Sequence, residues 1–138
     1  MKIGVLSDTH DQVERIARAL QLLRAEGAEM ALHCGDIESP EAVAPFEGWE
    51  AHFVFGNCDW DREGLARAIG RVGGVLHERF GHVEAGGARL AFLHGDDLRL
   101  FRDVEGSGAY DFLFHGHTHV AGERAAGRTR VINPGALH

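Results

Sequence analysis

Short apolar runs alternate with polar or glycine-containing stretches along the 138-residue chain. Runs of three or four mainly apolar residues between turn-forming residues are typical of buried β-strands. Five such runs lie at residues 3–6, 30–32, 53–55, 90–93 and 112–114. This pattern predicts five buried strands.

The segment between the first two runs has helical periodicity instead. Its apolar positions, spaced three or four residues apart, are Val13, Ile16, Ala17, Leu20 and Leu23. Asp11 is placed to cap the start of this helix, and Gly27 is placed to end it. The opening of the chain is therefore predicted to be a strand, a helix and a second strand.

Two more helices are predicted in the first half of the chain. Ser39 followed by Pro40 favours a helix start, and Pro45 is expected to interrupt that helix early. Residues 61–71 predict the other helix. The first half of the chain is therefore of α/β type.

The second half is richer in antiparallel β-structure. Gly86 and Gly87 separate two strand-like segments, a pattern that favours a two-residue hairpin turn. Residues 120–124 and 129–132 flank a second turn in the same way. Because no change of composition marks a boundary, we predict one α/β (α+β) domain over residues 1–138.

A polar cluster follows each of the five buried runs directly. In α/β sheets, ligands bind beyond the carboxyl ends of the strands, so clusters scattered along the chain are brought to one edge. The candidate metal ligands in these clusters are Asp8, His10, Asp36, Asn57, His94, His117 and His119. Carboxylates, an amide oxygen and imidazoles suit divalent ions, and seven ligands suit two ions that share a carboxylate.

Each cluster also has a simpler interpretation. Asp8 and its neighbours are typical of a turn or a helix cap, and His94 alone would be a hydrogen-bonded core histidine. His33 and His115 directly precede site residues and are candidates for orienting ligands by hydrogen bonds. The other histidines, His52, His77, His82 and His138, are expected to be structural. It is the five clusters together that favour a metal site.

The charge of the chain limits its partners. The formal net charge of −7 opposes binding to nucleic acid, so stable nucleic-acid binding is not expected. No apolar run reaches the roughly 20 residues of a membrane-spanning helix, and no secretory signal is seen. Cys34 and Cys58 are taken as free thiols, with a single disulfide between them as the less favoured alternative, and we expect a cytoplasmic protein.

The motifs, in this order, resemble those of the calcineurin-like metallophosphoesterase superfamily, and in particular its small prokaryotic phosphodiesterases. They are Asp8-x-His10, Gly35-Asp36, Gly56-Asn57-Cys58-Asp59, His94-Gly95, Gly116-His117-Thr118-His119 and Asn133-Pro134-Gly135. The resemblance implies two packed mixed β-sheets flanked by helices, in a four-layer sandwich. It also implies Asp8, His10 and His119 as ligands of a first ion.

The same resemblance assigns the second ion to Asn57, His94 and His117, with Asp36 as the bridge. We expect Mn²⁺ first, with Ni²⁺, Fe²⁺ or Zn²⁺ as alternatives. Asp36 and Asn57 then count as catalytic residues. Asp59 and Thr118 are expected to support the ligands from behind.

The implied reaction is hydrolysis of small phosphodiesters by a metal-activated hydroxide. Many superfamily members have histidine where this chain has Cys58, but the branch that it resembles often has cysteine. A thiol with an ordinary pKa of about 8.5 is a weak proton donor near neutral pH, which favours diesters with good leaving groups. Cys58 is therefore only a weak catalytic candidate.

Two other functions remain open at this point. The superfamily includes a retromer subunit that binds proteins, so a non-catalytic scaffold is one alternative, and a nuclease is another. Relatives commonly continue past Asn133-Pro134-Gly135, so we expect the second sheet to be trimmed here. A homo-oligomer is also compatible with the sequence.

Overall fold

The computed structural model describes residues 1–137, and His138, for which a structural role is expected, lies outside the described residues. The strands are β1 (Lys2–Leu6), β2 (Ala28–His33), β3 (Glu50–Phe53), β4 (Val75–Leu76), β5 (Phe80–Ala85), β6 (Ala88–Leu93), β7 (Phe112–Phe114), β8 (Gly122–Ala126) and β9 (Thr129–Asn133). The α-helices are α1 (Val13–Ala25), α2 (Arg62–Arg71) and α3 (Leu98–Gly106). A 3₁₀ helix spans Pro40–Phe46.

The first sheet has the strand order β1-β2-β3-β4, and its neighbouring strands are all parallel. The predicted helix between β1 and β2 is confirmed as α1. It begins one residue later than a cap at Asp11 would require, because Gln12 occupies the cap position without a side-chain hydrogen bond. Gly27 follows its end with φ of +91°, as expected of a helix-ending glycine.

The second sheet has the order β5-β6-β7-β9-β8 and mixes parallel and antiparallel neighbours. The mixed character expected of both sheets therefore applies to this sheet only. Gly86 and Gly87 both have positive φ and form the predicted two-residue turn between β5 and β6. The second predicted hairpin is confirmed as β8 and β9.

Three apolar cores separate four layers, which confirms the predicted sandwich. One core lies between the first sheet and its helices, and Ile16, Phe46 and Leu65 are fully buried in it. A second core contains Leu32 from the first sheet and Phe92 from the second. The third core joins β6, β7 and β9 to α3.

Helix α3 completes the fourth layer and was missed in the sequence. The Asp97 side chain accepts a hydrogen bond from the Leu100 N–H at 3.1 Å, which caps the start of the helix. Leu100, Phe101 and Val104 follow at helical spacing and pack into the third core. This short apolar stripe does not stand out in the sequence, because charged residues and glycines surround it.

The expectation that Pro45 interrupts the second helix is wrong. The 3₁₀ helix continues through Pro45 to Phe46, and its last turn is closed by a hydrogen bond from the Glu47 N–H to the Ala44 carbonyl. A proline removes only its own N–H from such a helix, and the next donor restores the pattern. Among the described residues, none of the helices is both long and apolar enough to cross a membrane.

Candidate metal centre

The loops after β1, β2, β3, β6 and β7 carry the seven predicted ligands. Five of the seven have a left-handed backbone, which non-glycine residues rarely adopt. They are Asp8, His10, Asp36, His117 and His119, with φ between 49° and 68°. Such conformations persist where the surrounding structure holds them, and they concentrate at functional sites.

Asp8 is fully buried at the end of β1. Its Oδ2 accepts hydrogen bonds from the Ser7 hydroxyl at 2.6 Å and from the His117 N–H at 3.0 Å. The second contact joins a loop of the first sheet to a loop of the second sheet. Asp8 therefore fixes the relative position of two ligand-bearing loops.

Gly116 allows this close approach between the two sheets. A Cβ atom at this position would lie 1.7 Å from the Ser7 hydroxyl oxygen and 2.3 Å from Asp8 Oδ2. Both separations are far shorter than any contact that a methyl group tolerates. The glycine before His117 is therefore required by the packing of the site.

Asp36 lies at the centre of the site, after β2. Its Oδ1 accepts a hydrogen bond from the Cys58 N–H at 2.8 Å, and its Oδ2 lies 3.3 Å from His94 Nε2. Burial acts to raise the pKa of this carboxyl, but the His94 and Cys58 hydrogen bonds, with the charges of His94 and His10, hold it well below its usual range. Asp36 is therefore a carboxylate near neutral pH.

His94 is buried at the end of β6, with both ring nitrogens engaged. Nδ1 donates to the Cys34 carbonyl oxygen at 2.9 Å, and Nε2 lies 2.9 Å from Asn57 Oδ1. Burial lowers the pKa of His94, but the Asp36 carboxylate and the Cys34 carbonyl outweigh burial, so the pKa is raised. His94 Nε2 thus lies among oxygen atoms of Asn57 and Asp36, where a divalent ion would meet three ligand atoms.

A second group of donor atoms adjoins the first. One donor atom from each of Asp8, His10, Asp36 and His119 lies within 4.8 Å of the others. His119 Nε2 is 3.2 Å from Asp8 Oδ1, and the rings of His10 and His119 are 5.9 Å apart in an edge-on arrangement. Asp36 is close to both groups of donor atoms.

His117 follows Gly116 in the loop after β7. Its side chain is exposed, and its ring lies 5.1 Å from the ring of His94. It is outside the four-residue group around Asp8. The structure therefore brings His117 to the His94 side of the site, where the sequence resemblance also assigns it.

Asp59 supports the loops after β2 and β3 from a buried position. Its carboxylate accepts backbone N–H groups of Asp36 at 2.9 Å, Gly56 at 2.7 Å and Glu38 at 2.7 Å. Burial raises the pKa of Asp59 in spite of these three hydrogen bonds. Its contacts agree with a supporting role behind Asp36.

His33 and His115 have different surroundings. The buried His33 accepts the Gly35 N–H at Nδ1, so its Nε2 donates to the Thr9 hydroxyl at 2.9 Å. Burial and the charge of His94 lower the pKa of His33 to about 3, so it is neutral. His115 instead packs edge-on against Phe101 and lies outside the ligand groups. His33 thus braces the loops after β1 and β2.

The loop after β7 is supported by the Asn133-Pro134-Gly135 turn. Asn133 Nδ2 donates to the Gly116 carbonyl at 3.2 Å and to the Thr118 hydroxyl at 2.9 Å. The Thr118 side chain therefore contacts Asn133, and the predicted metal ligands of this loop are the flanking His117 and His119. The sequence identified the turn as a motif but assigned no contact to Asn133.

Glu38 was missed altogether. Its Oε2 lies 2.9 Å from Nδ1 of the His10 ring and contacts that nitrogen, not Nε2. The sequence did contain an indication of Glu38, because it is a second carboxylate two residues after Asp36, in a loop that is expected to line the site.

Cys34 and Cys58 are both free thiols, as expected. Cys58 is half-buried, and burial together with the nearby Asp36 carboxylate raises the pKa of its thiol. A thiol with a raised pKa is a weaker proton donor than an ordinary cysteine. A weak catalytic role for Cys58 stays a prediction.

The donor set fits divalent metal ions. Two buried carboxylates, an amide oxygen and several imidazoles match the ligand types of Mn²⁺, Fe²⁺, Ni²⁺ and Zn²⁺. The two free thiols stand outside the set, because Cys34 contributes only its carbonyl group to His94. Hydrogen bonds on the far nitrogens of His94 and His10 leave their Nε2 atoms to face the shared site, as is usual for metal-bound histidines.

The sequence and the fold are similar to those of known phosphoesterases. A model of the calcineurin-like phosphoesterase superfamily domain matches residues 1–138. Phosphodiesterase MJ0936 of Methanocaldococcus jannaschii is 32% identical over 138 residues, which cover 98% of this chain and 83% of that protein. The probable metallophosphoesterase YsnB of Bacillus subtilis is 29% identical, with 99% and 75% covered. The solved structure of an archaeal phosphodiesterase has a TM-score of 0.90 at 31% identity and covers 99% of this chain and 84% of that chain.

Proposed function

Because the chain belongs to the calcineurin-like phosphoesterase superfamily, we propose that it is a metal-dependent hydrolase of small phosphodiesters. The observation that carries this proposal is the double use of Asp36, which belongs to the Asp8 group and also lies 3.3 Å from His94 Nε2. Two adjoining groups of donors with one shared carboxylate suit a two-metal hydrolytic site.

The residues divide between two ions in the proposed site. Asp8, His10 and His119 would hold the first ion, Asn57, His94 and His117 would hold the second, and Asp36 would hold both. Mn²⁺ is the preferred metal, because the set contains two carboxylates and an amide oxygen in addition to imidazoles. The number and the kind of ions are tested by metal analysis of protein loaded with Mn²⁺ or Ni²⁺, and one ion per chain would contradict the shared bridge.

The ions supply positive charge and lower the pKa of water, which provides a nucleophile at neutral pH. The chain itself supplies their placement. Asp8 and Asp36 are buried carboxylates in fixed positions, so the ions and the substrate phosphate are located by the protein and not by solvent. Local charge of the ions also explains how an anion binds to a chain of net charge −7.

Diesters are preferred over monoesters in this proposal. With a raised pKa, the Cys58 thiol donates a proton poorly, so leaving groups that need no protonation react best. Aryl diesters such as bis-aryl phosphates meet this condition. Faster turnover of a mono-aryl than of a bis-aryl phosphate would contradict the preference.

The deciding experiment measures metal-dependent turnover. Metal-stripped protein is reloaded with Mn²⁺ and assayed with bis-aryl and mono-aryl phosphates, cyclic nucleotides and oligonucleotides. His94→Ala should abolish turnover, whereas His82→Ala, at an exposed histidine on β5, should leave it unchanged. Stoichiometric Mn²⁺ without turnover on any substrate would favour a protein-binding scaffold, and turnover of oligonucleotides alone would favour a nuclease.

Location and partners complete the proposal. Two free thiols, one of them buried, agree with a reducing compartment, so we place the protein in the cytoplasm. Cell fractionation with an antibody against the chain tests this assignment.

Stable nucleic-acid binding is not expected at a net charge of −7, and fluorescence anisotropy with a labelled oligonucleotide would reveal it.

A further inference from the structure

We propose that Glu38 is a positioning residue that holds the His10 ring in place for the first metal ion. The inference rests on the proposed metal site, and it concerns a residue that is outside the seven ligands. Glu38 Oε2 lies 2.9 Å from His10 Nδ1. A carboxylate on one imidazole nitrogen fixes the tautomer and directs the lone pair of the other nitrogen.

The location of His10 makes this contact consequential. His10 contributes a donor atom to the group with Asp8, Asp36 and His119. Because Nδ1 is engaged by Glu38, Nε2 is the nitrogen left for that group. Loss of the carboxylate would allow the ring to rotate and the proton to move between the two nitrogens.

The backbone of Glu38 indicates that the contact has a function. Its φ is +79°, a left-handed conformation that glycine adopts readily and glutamate rarely adopts. The Asp59 carboxylate accepts the Glu38 N–H at 2.7 Å and holds the residue in this conformation. A glycine would fit the backbone better, but it could not reach His10.

Asp59 connects this contact to the shared carboxylate. The same carboxylate that accepts the Glu38 N–H also accepts the Asp36 N–H at 2.9 Å. One buried group therefore sets the position of the bridging ligand and of the residue that orients His10. The result is a single support for two ligands of the first ion.

The alternative is an ordinary surface ion pair. The Glu38 side chain is 44% exposed and the His10 side chain 19% exposed, and exposed pairs usually contribute little to stability. The two interpretations differ in what they predict for metal binding. A surface pair has no effect on it, whereas a carboxylate that orients a metal-binding histidine changes the metal affinity by about 10- to 100-fold.

The test is calorimetric titration of the metal-stripped full chain with Mn²⁺. Glu38→Gln keeps an oxygen that can accept from His10 and should weaken one of the two binding events by about 10-fold. Glu38→Gly removes the contact and should weaken the same event by closer to 100-fold, while its Tm stays equal to or above that of the parent. Glu41→Gln, at an exposed glutamate three residues further on, is the matched control and should bind both ions as the parent does.

The outcomes separate this proposal from the proposed function. A parent chain that binds no Mn²⁺ would overturn both. A parent that binds two ions, with Glu38→Gln and Glu38→Gly binding them equally well, would overturn only the role of Glu38. Equal weakening of both binding events, with a lowered Tm in both variants, would show a general structural role and would also contradict the proposal.

Discussion

The loops after β1 and β2 of the first sheet bury Asp8 and Asp36, whereas the loop after β7 leaves His117 and His119 exposed. Asp8 and Asp36 in the first group are almost completely inaccessible. They are held by hydrogen bonds from Ser7, Cys58 and other groups inside the molecule. The exposed loop is held mainly by Asn133 and by one contact from the His117 N–H to Asp8.

The difference separates two tasks of the site. Buried carboxylates keep their charge in fixed positions where the surrounding dielectric is low, which strengthens their attraction for a cation. Exposed imidazoles complete the site on the side that solvent and substrate can reach. If this division is correct, changes in the buried half should affect metal binding most, and changes in the exposed half should have smaller effects.

The largest effect is expected for Asp36→Asn in the buried half. The variant keeps the shape of the side chain but removes the charge shared by both groups of donors, so turnover should fall by at least about 10³-fold. Metal analysis should show fewer than two bound ions. Asp103→Asn, at an exposed position on α3, is the control, and two tightly bound ions in Asp36→Asn would refute the bridging role.

The next largest effect is expected at the contact between the two halves. Gly116→Ala places a methyl group against Ser7 and Asp8, so the two loops must separate. The free energy of unfolding should fall by up to about 3 kcal/mol, as expected of overpacking. Gly122→Ala is the matched control, because no heavy atom lies within 4 Å of its added Cβ. Urea unfolding of both variants tests the contact, and equal stability would contradict it.

A pH-dependent effect should come from His33 in the buried half. The pKa of His33 is lowered from 6.5 to about 3, mainly by burial, so unfolding takes up a proton below about pH 6.5. Its contribution to stability is present above pH 6.5 and is lost as the pH falls toward 3. His33→Asn, which cannot titrate, should reduce the slope of the unfolding free energy by up to about 1.4 kcal/mol per pH unit between pH 6 and 5. An unchanged slope in urea titrations would contradict this assignment.

The sequence predicted the buried half of the site better than its supports. Asp8, Asp36 and His94 lie in the polar clusters that follow apolar runs, so strand ends located them without any knowledge of three-dimensional contacts. Glu38 and Asn133 act through contacts that depend on loop conformation, which periodicity does not report. The left-handed backbone of Glu38 is one such feature, because glutamate gives no local indication of it.

The same limit applies to the fold. Strands with apolar runs and the long helix α1 were predicted because their patterns repeat over several residues. The two-residue strand β4 and the short helix α3 have too few apolar positions for a pattern to stand out. An interruption at Pro45 is expected of an α-helix, because proline lacks the N–H that the helix needs. The segment is a 3₁₀ helix instead, and it continues through Pro45 to Phe46.

The smallest effect is expected for Asn133→Asp in the exposed half. The variant keeps the oxygen that accepts the Gly135 N–H at 2.8 Å but removes the donor to Gly116 and Thr118. The free energy of unfolding should fall by about 1 to 2 kcal/mol, because Asn133 is buried and the Gly116 carbonyl loses one neutral hydrogen bond. Amide hydrogen exchange should nevertheless quicken at residues 116–119 and stay unchanged around Asp36. Faster exchange in both loops would mean that the two halves are coupled more tightly than their different burial indicates.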